Sequence, residues 1–451
     1  IGLDRMPEVK TLRRKILSLA RALKGEEFDR ILAKERTKQR GKVLGFLYID
    51  GHVRVYHGKR RVPKTYVTRL RMALPATTDY WVNDQEGAPL FVVTADINAS
   101  LTKMLPVLLE EIRGLVGKRR VTVVFDRGGW SPRLFVKLID GGFDILTYRK
   151  GKSRKVPQKK FSLHTEVIEG REVAYNLNDK NIRLLKGKLR LRQITRLSDN
   201  KKHQTYIVTS RTDLPAAVLA YRMFERWRQE NFFKYLNEEF ALDALIDYAA
   251  EEEDEEKLIP NLERRKMNKK LAGARAELRK AEHEYGKAAM EYNRKKNASL
   301  RGFKESNREL ELLIEKLEKR VKRLVEKQKK IPERIAVGEV SGEKIMRLQA
   351  ERKHITSCIK MVAYQAESDL LALVRPHYAR ADAEGRTLIT SALQSSADID
   401  VEKNELLITL APLSSAHRTR AIAGLCETLN QTKTCFPGTE LRMRFGVAET
   451  R

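Results

Sequence analysis

The chain has 451 residues and carries 90 Lys and Arg against 60 Asp and Glu, a formal net charge of +30. That length allows a substantial core shared among about two to four domains, and that charge points to a polyanionic partner, nucleic acid above all, over a generic basic protein. No apolar run spans a bilayer and no secretory signal is recognisable, so a membrane partner is excluded; Cys358, Cys426 and Cys435 form no CxxC pair, so neither a zinc site nor a disulfide framework is indicated.

Residues 1–40 predict a basic helical lead-in with Leu12, Ile16, Leu17, Leu19, Ala20 and Leu23 on its apolar side. It packs on the core or leads in from a DNA-binding module. The first residue is Ile, not Met, so an upstream domain is expected. Residues 43–58 predict a strand whose first half is continuously apolar, as in a strand buried on both faces. Asp50 interrupts it. A lone carboxylate in a buried strand is costly unless it is paired or binds a metal. Gly51 marks a bend, a bulge or a close backbone approach; a plain Asp-Gly hairpin turn is the other reading.

Further strands are expected over residues 67–72, 79–82 and 89–94, with a turn at 83–87. Residues 101–116 show helical periodicity through Leu105, Leu108, Leu109, Ile112 and Leu115, and Gly117 stops the helix. An apolar strand then runs from Val121 into Asp126, followed by two glycines and a helix over 132–139. Functional groups gather at the carboxyl ends of strands in open α/β sheets, and Asp126 stands at such an end; a strand-capping Asp is the plainer alternative. A strand over 143–148 leads into the basic loop 149–155, where Arg149 and Lys150 suit phosphate contacts or form a solvated loop. Residues 156–214 read as β, with strands over 189–197 and 204–211.

Residues 221–234 predict one helix: strong helix formers, no Gly or Pro within, and Pro215 ahead. Arg226, Glu230 and Lys234 follow one another at i, i+4 and i+8, holding a carboxylate between two cations. Alone, this is an ion-pair ladder on the surface. The acidic run 251–256 reads as a linker. Beyond it, Met267, Leu271, Ala274, Leu278, Ala281, Tyr285, Ala288 and Tyr292 form one a/d seam, and Leu310, Ile314, Leu317, Val321 and Leu324 a second, separated by 297–307. An antiparallel helical hairpin is the simplest reading, dimerisation through the same seams its rival. A helix over 343–374 follows, then a strand at 405–410, a helix at 414–430 and a strand at 440–445.

Strand with Asp50, further strands, a helix, strand with Asp126, then a late helix with Glu230: this is the order of an RNase H-like nucleotidyl-transfer core. Three carboxylates at a sheet end can hold two Mg²⁺ ions about 3.5–4 Å apart, and the absence of Cys/His clusters fits a hard cation with oxygen ligands.

On Tyr-Ile-Asp50-Gly-His, Val-Val-Phe-Asp126-Arg-Gly and Arg226-Trp-Arg-Gln-Glu230-Asn-Phe-Phe-Lys234, the sequence resembles a bacterial insertion-sequence transposase of the DDE type, the cut-and-paste branch with a β insertion before the Glu. The resemblance covers roughly residues 40–245. It implies an α/β RNase H-like core (41–155 and 215–250) with an inserted β subdomain (156–214), after the lead-in 1–40. A coiled-coil hairpin (257–335) and a helical and α+β C-terminal region (336–451) lie outside it. It implies Mg²⁺, with Mn²⁺ as the alternative, held by the catalytic residues Asp50, Asp126 and Glu230. The family's helix motif has Tyr, two residues, Arg, three residues, Glu, six residues, Lys. Arg226 and Glu230 match it; Met223 and Asn237 stand at the Tyr and Lys positions, with Tyr221 and Lys234 nearby. DNA contacts are implied for Arg127, Arg149, Lys150, Tyr221, Arg222, Arg226, Trp227 and Lys234, with Trp227 stacking on an unpaired base or packing in the core. Trp130 carries the same two readings, and His52 either touches the site or is a structural, hydrogen-bonded His. The implied partners are double-stranded transposon ends and target DNA, bound by a homodimer on the bacterial nucleoid in the cytoplasm. A catalytically inactive DNA-binding descendant, and a coiled-coil scaffold with incidental charge, are the competing functions.

Overall fold

The computed structural model describes residues 8–41, 44–67, 70–95, 99–151, 153–244, 250–294, 299–340, 342 and 344–449. The lead-in before Glu8, Val43, Thr68 and Arg69, Lys152, residues 245–249 of the expected core, the connector's Asn297 and the helix start at Glu343 lie outside the described residues. The chain divides into two compact units, one comprising 1–58, 63–249 and 348–451, the other 59–62 and 250–347.

In the first unit, α1 (Val9–Arg21) and α2 (Gly25–Gln39) precede β1 (Phe46–Val55), β2 (Lys64–Val67), β3 (Met72–Asn83) and β4 (Pro89–Thr94). Then come α3 (Leu101–Val116), β5 (Val121–Phe125), α4 (Pro132–Asp140) and β6 (Phe143–Tyr148). The chain continues as β7 (Ser162–Ile168), β8 (Arg171–Leu184), β9 (Leu189–Leu197), β10 (Gln204–Thr209), α5 (Ala216–Phe224) and α6 (Trp227–Phe240). A ten-stranded mixed sheet joins these strands in the order β2-β3-β1-β5-β6-β10-β9-β8-β7, with β4 also on β3. β1 is antiparallel to β3 and parallel to β5, and β5 is parallel to β6. From β6 outward through β10, β9, β8 and β7 every pairing is antiparallel. Residues 156–214 thus continue the same sheet from β6.

Alternation along the strands sets the layers. Leu47 and Ile49 of β1, Val121, Val123 and Phe125 of β5 and Ile145 of β6 pack with Leu105, Leu108 and Ile112 of α3 and Phe135 of α4. The intervening Phe46, Tyr48, Val124 and Leu146 pack with Ala217, Leu219, Ala220 and Met223 of α5. β5 is therefore buried along its whole length, which is why its five residues are all apolar or Thr. Each fully buried Val, Leu, Ile or Phe contributes about 1.5–3 kcal/mol.

The second unit holds β11 (Ala250–Glu252), β12 (Leu258–Pro260), α7 (Leu262–Arg294), α8 (Leu300–Ser306), α9 (Arg308–Lys330), β13 (Arg334–Ala336) and β14 (Met346–Leu348). The acidic run expected as an open linker is partly built in: Ala250–Glu252 pairs with β14, and Glu253 is buried with Lys257 at 3.3 Å. α7 and α9 run antiparallel, for Glu277 pairs with Arg320 at 2.8 Å while Asn268 accepts from Gln328 and Glu311 from Tyr285. Leu271, Ala274, Ala281 and Leu317 are buried on these helices.

The chain returns to the first unit with α10 (Ala350–Val374), α11 (Ala381–Gln394), β15 (Ala397–Glu402), β16 (Glu405–Leu410), α12 (Ala416–Gln431) and β17 (Arg442–Val447). α10 starts later than its apolar pattern suggests because β14 takes the preceding residues. It packs on α1, α2 and β4. β15 is an exposed edge strand that the sequence reading passes over, although Ala397, Ile399 and Val401 alternate with Asp398, Asp400 and Glu402. α12 crosses between the parallel β16 and β17. No described helix is long and apolar enough to cross a membrane.

Candidate active site

The parallel register of β1 and β5 pairs Ile49 with Phe125. The next residues, Asp50 in the middle of β1 and Asp126 just past the end of β5, therefore lie side by side where the pairing of the two strands stops. Alternation directs both to the side that carries α5, since Tyr48 and Val124 pack there. Asp126 ends β5 by capping the short turn Arg127–Gly129; its Oδ1 accepts the Gly128 N–H at 2.8 Å. The turn is tight at both glycines, and at Gly129 the neighbour is a buried ring. A Cβ on Gly128 would lie 2.8 Å from that oxygen, and one on Gly129 would lie 2.5 Å from the Phe125 ring.

Glu230 arrives from a different direction. The helix expected over 221–234 is two helices, α5 ending at Phe224 and α6 starting at Trp227, with Glu225 and Arg226 in the turn between. The local sequence would carry one helix through; tertiary packing overrides it. α5 buries its apolar side against the sheet, whereas α6 buries Phe232 and Leu236 against Trp81 and Val92, a separate cluster. The turn absorbs the change of direction. Gln229 fixes α6, its Nε2 donating to Asn83 Oδ1 at 2.7 Å and to the Trp81 carbonyl at 3.2 Å. The Tyr48 hydroxyl donates to the Arg222 carbonyl at 2.8 Å.

Arg226, placed in that turn, lies between two of the three carboxylates. Its Nη2 is 3.3 Å from Asp50 Oδ2 and 3.5 Å from Glu230 Oε1. Burial pushes the Asp50 carboxyl up to about 6; Arg226 pulls it back, and the Asp126 and Glu230 charges add to the rise. Asp50 thus feels both other carboxylates, as groups sharing one site do. The expected ladder is half made, because Lys234 has its ion pair with Glu238, at 3.9 Å.

The other residues singled out in the sequence divide into exposed and enclosed. Arg127 and Lys150 are exposed, and Arg127 reaches over Tyr148. Trp227 is 47% exposed, and Lys234 projects outward. Arg149 is half-buried and donates to Gln193. Tyr221 and Arg222 are buried and committed to Glu169, at 3.0 and 2.6 Å, so neither offers its side chain outward. Trp130 stands edge-on to Phe135. His52 lies 2.8 Å from Asp243 and stacks on Phe233.

Two contributors escape sequence reading. Tyr80 pairs with Gly51 across β1 and β3, and a Cβ on Gly51 would meet its ring at 2.9 Å. Burial, with Asp126 and Asp50 nearby, pushes its hydroxyl up to about 12. Only the register exposes its role. Glu169 gathers Tyr221, Arg222 and Arg228; its one local signal is a turn position before Gly170. With Asp50, Asp126 and Glu230 as donors the site offers oxygen alone, which suits a hard divalent cation.

A family described as "Transposase protein" matches residues 1–448. No curated protein matches the chain. Among solved structures it is similar to the piggyBac transposase synaptic complex with hairpin DNA, with TM-score 0.30 and 12% identity over 43% of this chain and 40% of that one. The Mos1 mariner paired-end complex with Mn gives TM-score 0.17 and 13% identity over 32% and 44%. The NurA nuclease from Sulfolobus solfataricus gives TM-score 0.21 and 10% identity over 53% and 100%. The chain thus spans less than half the length of either transposase.

Proposed function

The chain belongs to this family of transposase proteins, and we propose that it is a DDE transposase of a bacterial insertion sequence, cutting at transposon ends and joining the freed 3′-hydroxyl to target DNA. The observation that carries this reading is the β1–β5 register, which brings Asp50 and Asp126 side by side where that pairing stops, with Glu230 tied to Asp50 through Arg226. The sheet supports it. β4, β3 and β1 are successively antiparallel, β5 and β6 run parallel to β1, and helices cover both faces, the arrangement of an RNase H-like core. On this reading β7–β10 are the insertion before the Glu and α7–α9 a coiled-coil hairpin.

The oxygen-only donor set fits Mg²⁺, with Mn²⁺ as the alternative. A pair of such ions, when bound, supplies Lewis-acid stabilisation to the attacking and leaving oxygens of a phosphodiester. The chain's own groups prepare that state. Asp50 must be ionised to serve as a ligand, so its raised pKa sets a lower pH limit. The Arg226 guanidinium must leave Asp50 and Glu230, and a DNA phosphate is the partner for its planar fork. Exposed Trp227 stacks on an unpaired base at the end. Arg127, Lys150 and Lys234 neutralise backbone phosphates. The protein acts as a homodimer on paired ends, in the nucleoid.

The same Arg226 favours one second reading, a transposase-derived DNA-binding protein without chemistry, since a guanidinium already neutralises Asp50 and Glu230. Incubation with Mg²⁺ and a supercoiled plasmid carrying the element's ends separates the two. Nicking by the wild type that falls to background in Asp126→Ala, with DNA binding retained, supports the enzyme. A wild type that binds the DNA without nicking it, or an Asp126→Ala variant that still nicks, supports the second.

A further inference from the structure

We propose that Asp29, His354 and Cys358 form a zinc-binding site, apart from the three-carboxylate site. His354 and Cys358 stand four residues apart on α10 and so share one face of that helix. α2 packs against α10 and brings Asp29 to them. One carboxylate oxygen, one imidazole nitrogen and the thiol sulfur all lie within 4.8 Å of one another. His354 Nε2 is 3.5 Å from Asp29 Oδ2. All three residues are more than nine-tenths buried, at 6%, 7% and 0% exposure.

The hydrogen bonding around the cluster leaves room for a ligand. Asp29 Oδ2 accepts the Val92 N–H at 3.2 Å, which orients the carboxylate. Among the described residues Asp29 Oδ1 and His354 Nε2, both buried, lack a hydrogen bond of good geometry, although the Asp29 carboxylate faces both the imidazole and the Cys358 thiol. A cation among the three side chains would satisfy both atoms at once. A thiolate, an imidazole and a carboxylate together are a borderline-soft set that selects Zn²⁺ over Mg²⁺. Tetrahedral zinc ligands at about 2.0–2.3 Å stand roughly 3.3–3.8 Å apart, so the 3.5 Å between His354 Nε2 and Asp29 Oδ2 already fits, Oδ2 keeping its Val92 bond or the carboxylate turning to offer Oδ1, and the sulfur has to close in by about 1 Å at most.

A cavity of about 170 Å³ opens beside the cluster, lined in part by Asp29, His354, Val92 and Glu351. It supplies an entry path and room for a water as fourth ligand. The guanidinium in the same wall, Arg30, is already paired with Glu111 at 2.9 Å. Binding would release the Cys358 proton to solvent and tie α2, α10 and β4 together. None of this depends on the transposase chemistry.

The test uses the full chain, purified without chelator, for metal analysis and then exchange into Co²⁺. The expected result is one equivalent of zinc and, with Co²⁺, a thiolate-to-metal charge-transfer band in the near ultraviolet. Both disappear in Cys358→Ser and His354→Ala and persist in Cys435→Ser. The oxygen ligands of the three-carboxylate site cannot give such a band, so a failure here is distinct from a failure there. A wild type without zinc, a Co²⁺ form without the band, or a Cys358→Ser variant that keeps it would overturn the proposal. Should the Cys358 variant not fold, the wild-type spectrum and the isosteric Asp29→Asn, expected to lose zinc, still decide.

Discussion

At the scale of single residues, two aspartates of the central sheet, one buried and one half-buried, have opposite electrostatic fates. Asp79 is fully buried, with Lys353 at 2.7 Å and Arg54 on its other oxygen. Burial alone would raise its carboxyl, but Arg54 and Lys353 overcome that and hold it well below the usual carboxylate range. Its contribution to stability is therefore present above the unfolded value of about 3.9, and is lost only as pH falls through the depressed folded value. Asp79→Ala leaves two buried cations without their carboxylate and is expected to cost about 3–5 kcal/mol by urea unfolding at neutral pH. A loss under about 1 kcal/mol would mean that water reaches Arg54 and Lys353.

Asp50 has the reverse sign. Its folded pKa, raised to about 6, contributes stability that is complete below about 3.9 and lost as pH rises through about 6. At neutral pH the ionised Asp50 thus works against the fold. Asp50→Asn is expected to stabilise the protein by about 1–2 kcal/mol at pH 8 and to make no difference near pH 4. Destabilisation at pH 8 would instead mark Asp50 as a structural partner for Arg226.

At the scale of elements, the break between α5 and α6 decides what the site contains. The turn holds Arg226, whose side chain reaches both Asp50 and Glu230. It also leaves Trp227 half exposed. Trp227→Ala is expected to change stability by less than about 0.5 kcal/mol while weakening binding to a DNA end with unpaired bases by about 1–3 kcal/mol. Thermal melts and fluorescence anisotropy measure the two. Large destabilisation with unchanged DNA affinity would return Trp227 to the core.

The legibility of these features follows from which forces act locally. Asp50 and Asp126 stand out in the sequence because a carboxylate within or ending a buried apolar strand needs a reason. The strands β1, β5 and β6 and the helix α3 are readable because both faces, or one, are uniformly apolar. The α5–α6 break has no Gly or Pro to announce it and comes from two cores pulling one helical sequence in different directions. Tyr80 and Glu169 are defined by neighbours distant in sequence. So is the Asp29 cluster: Cys358 looks isolated when cysteines are judged by CxxC spacing, and only the packing of α2 on α10 supplies its company.

At the scale of the whole molecule, a net charge of +30 makes DNA binding a counterion-release process. The logarithm of affinity should fall linearly with the logarithm of salt concentration, with a slope near −0.9 for each phosphate neutralised and about −4 or steeper in total. Replacing exposed Lys150 with Ala should flatten that slope by about one contact. A slope near zero would show that the charge is not directed at DNA.

The most direct measurement is anomalous diffraction from crystals of the full chain with a transposon-end DNA and Mn²⁺. The prediction is anomalous density held by Asp50, Asp126 and Glu230 beside a scissile phosphate, with Arg226 withdrawn from between Asp50 and Glu230 onto the DNA backbone. No anomalous density at Asp50 and Asp126, with Arg226 still bridging Asp50 and Glu230 while DNA is bound, would contradict the assignment of these carboxylates as the catalytic set.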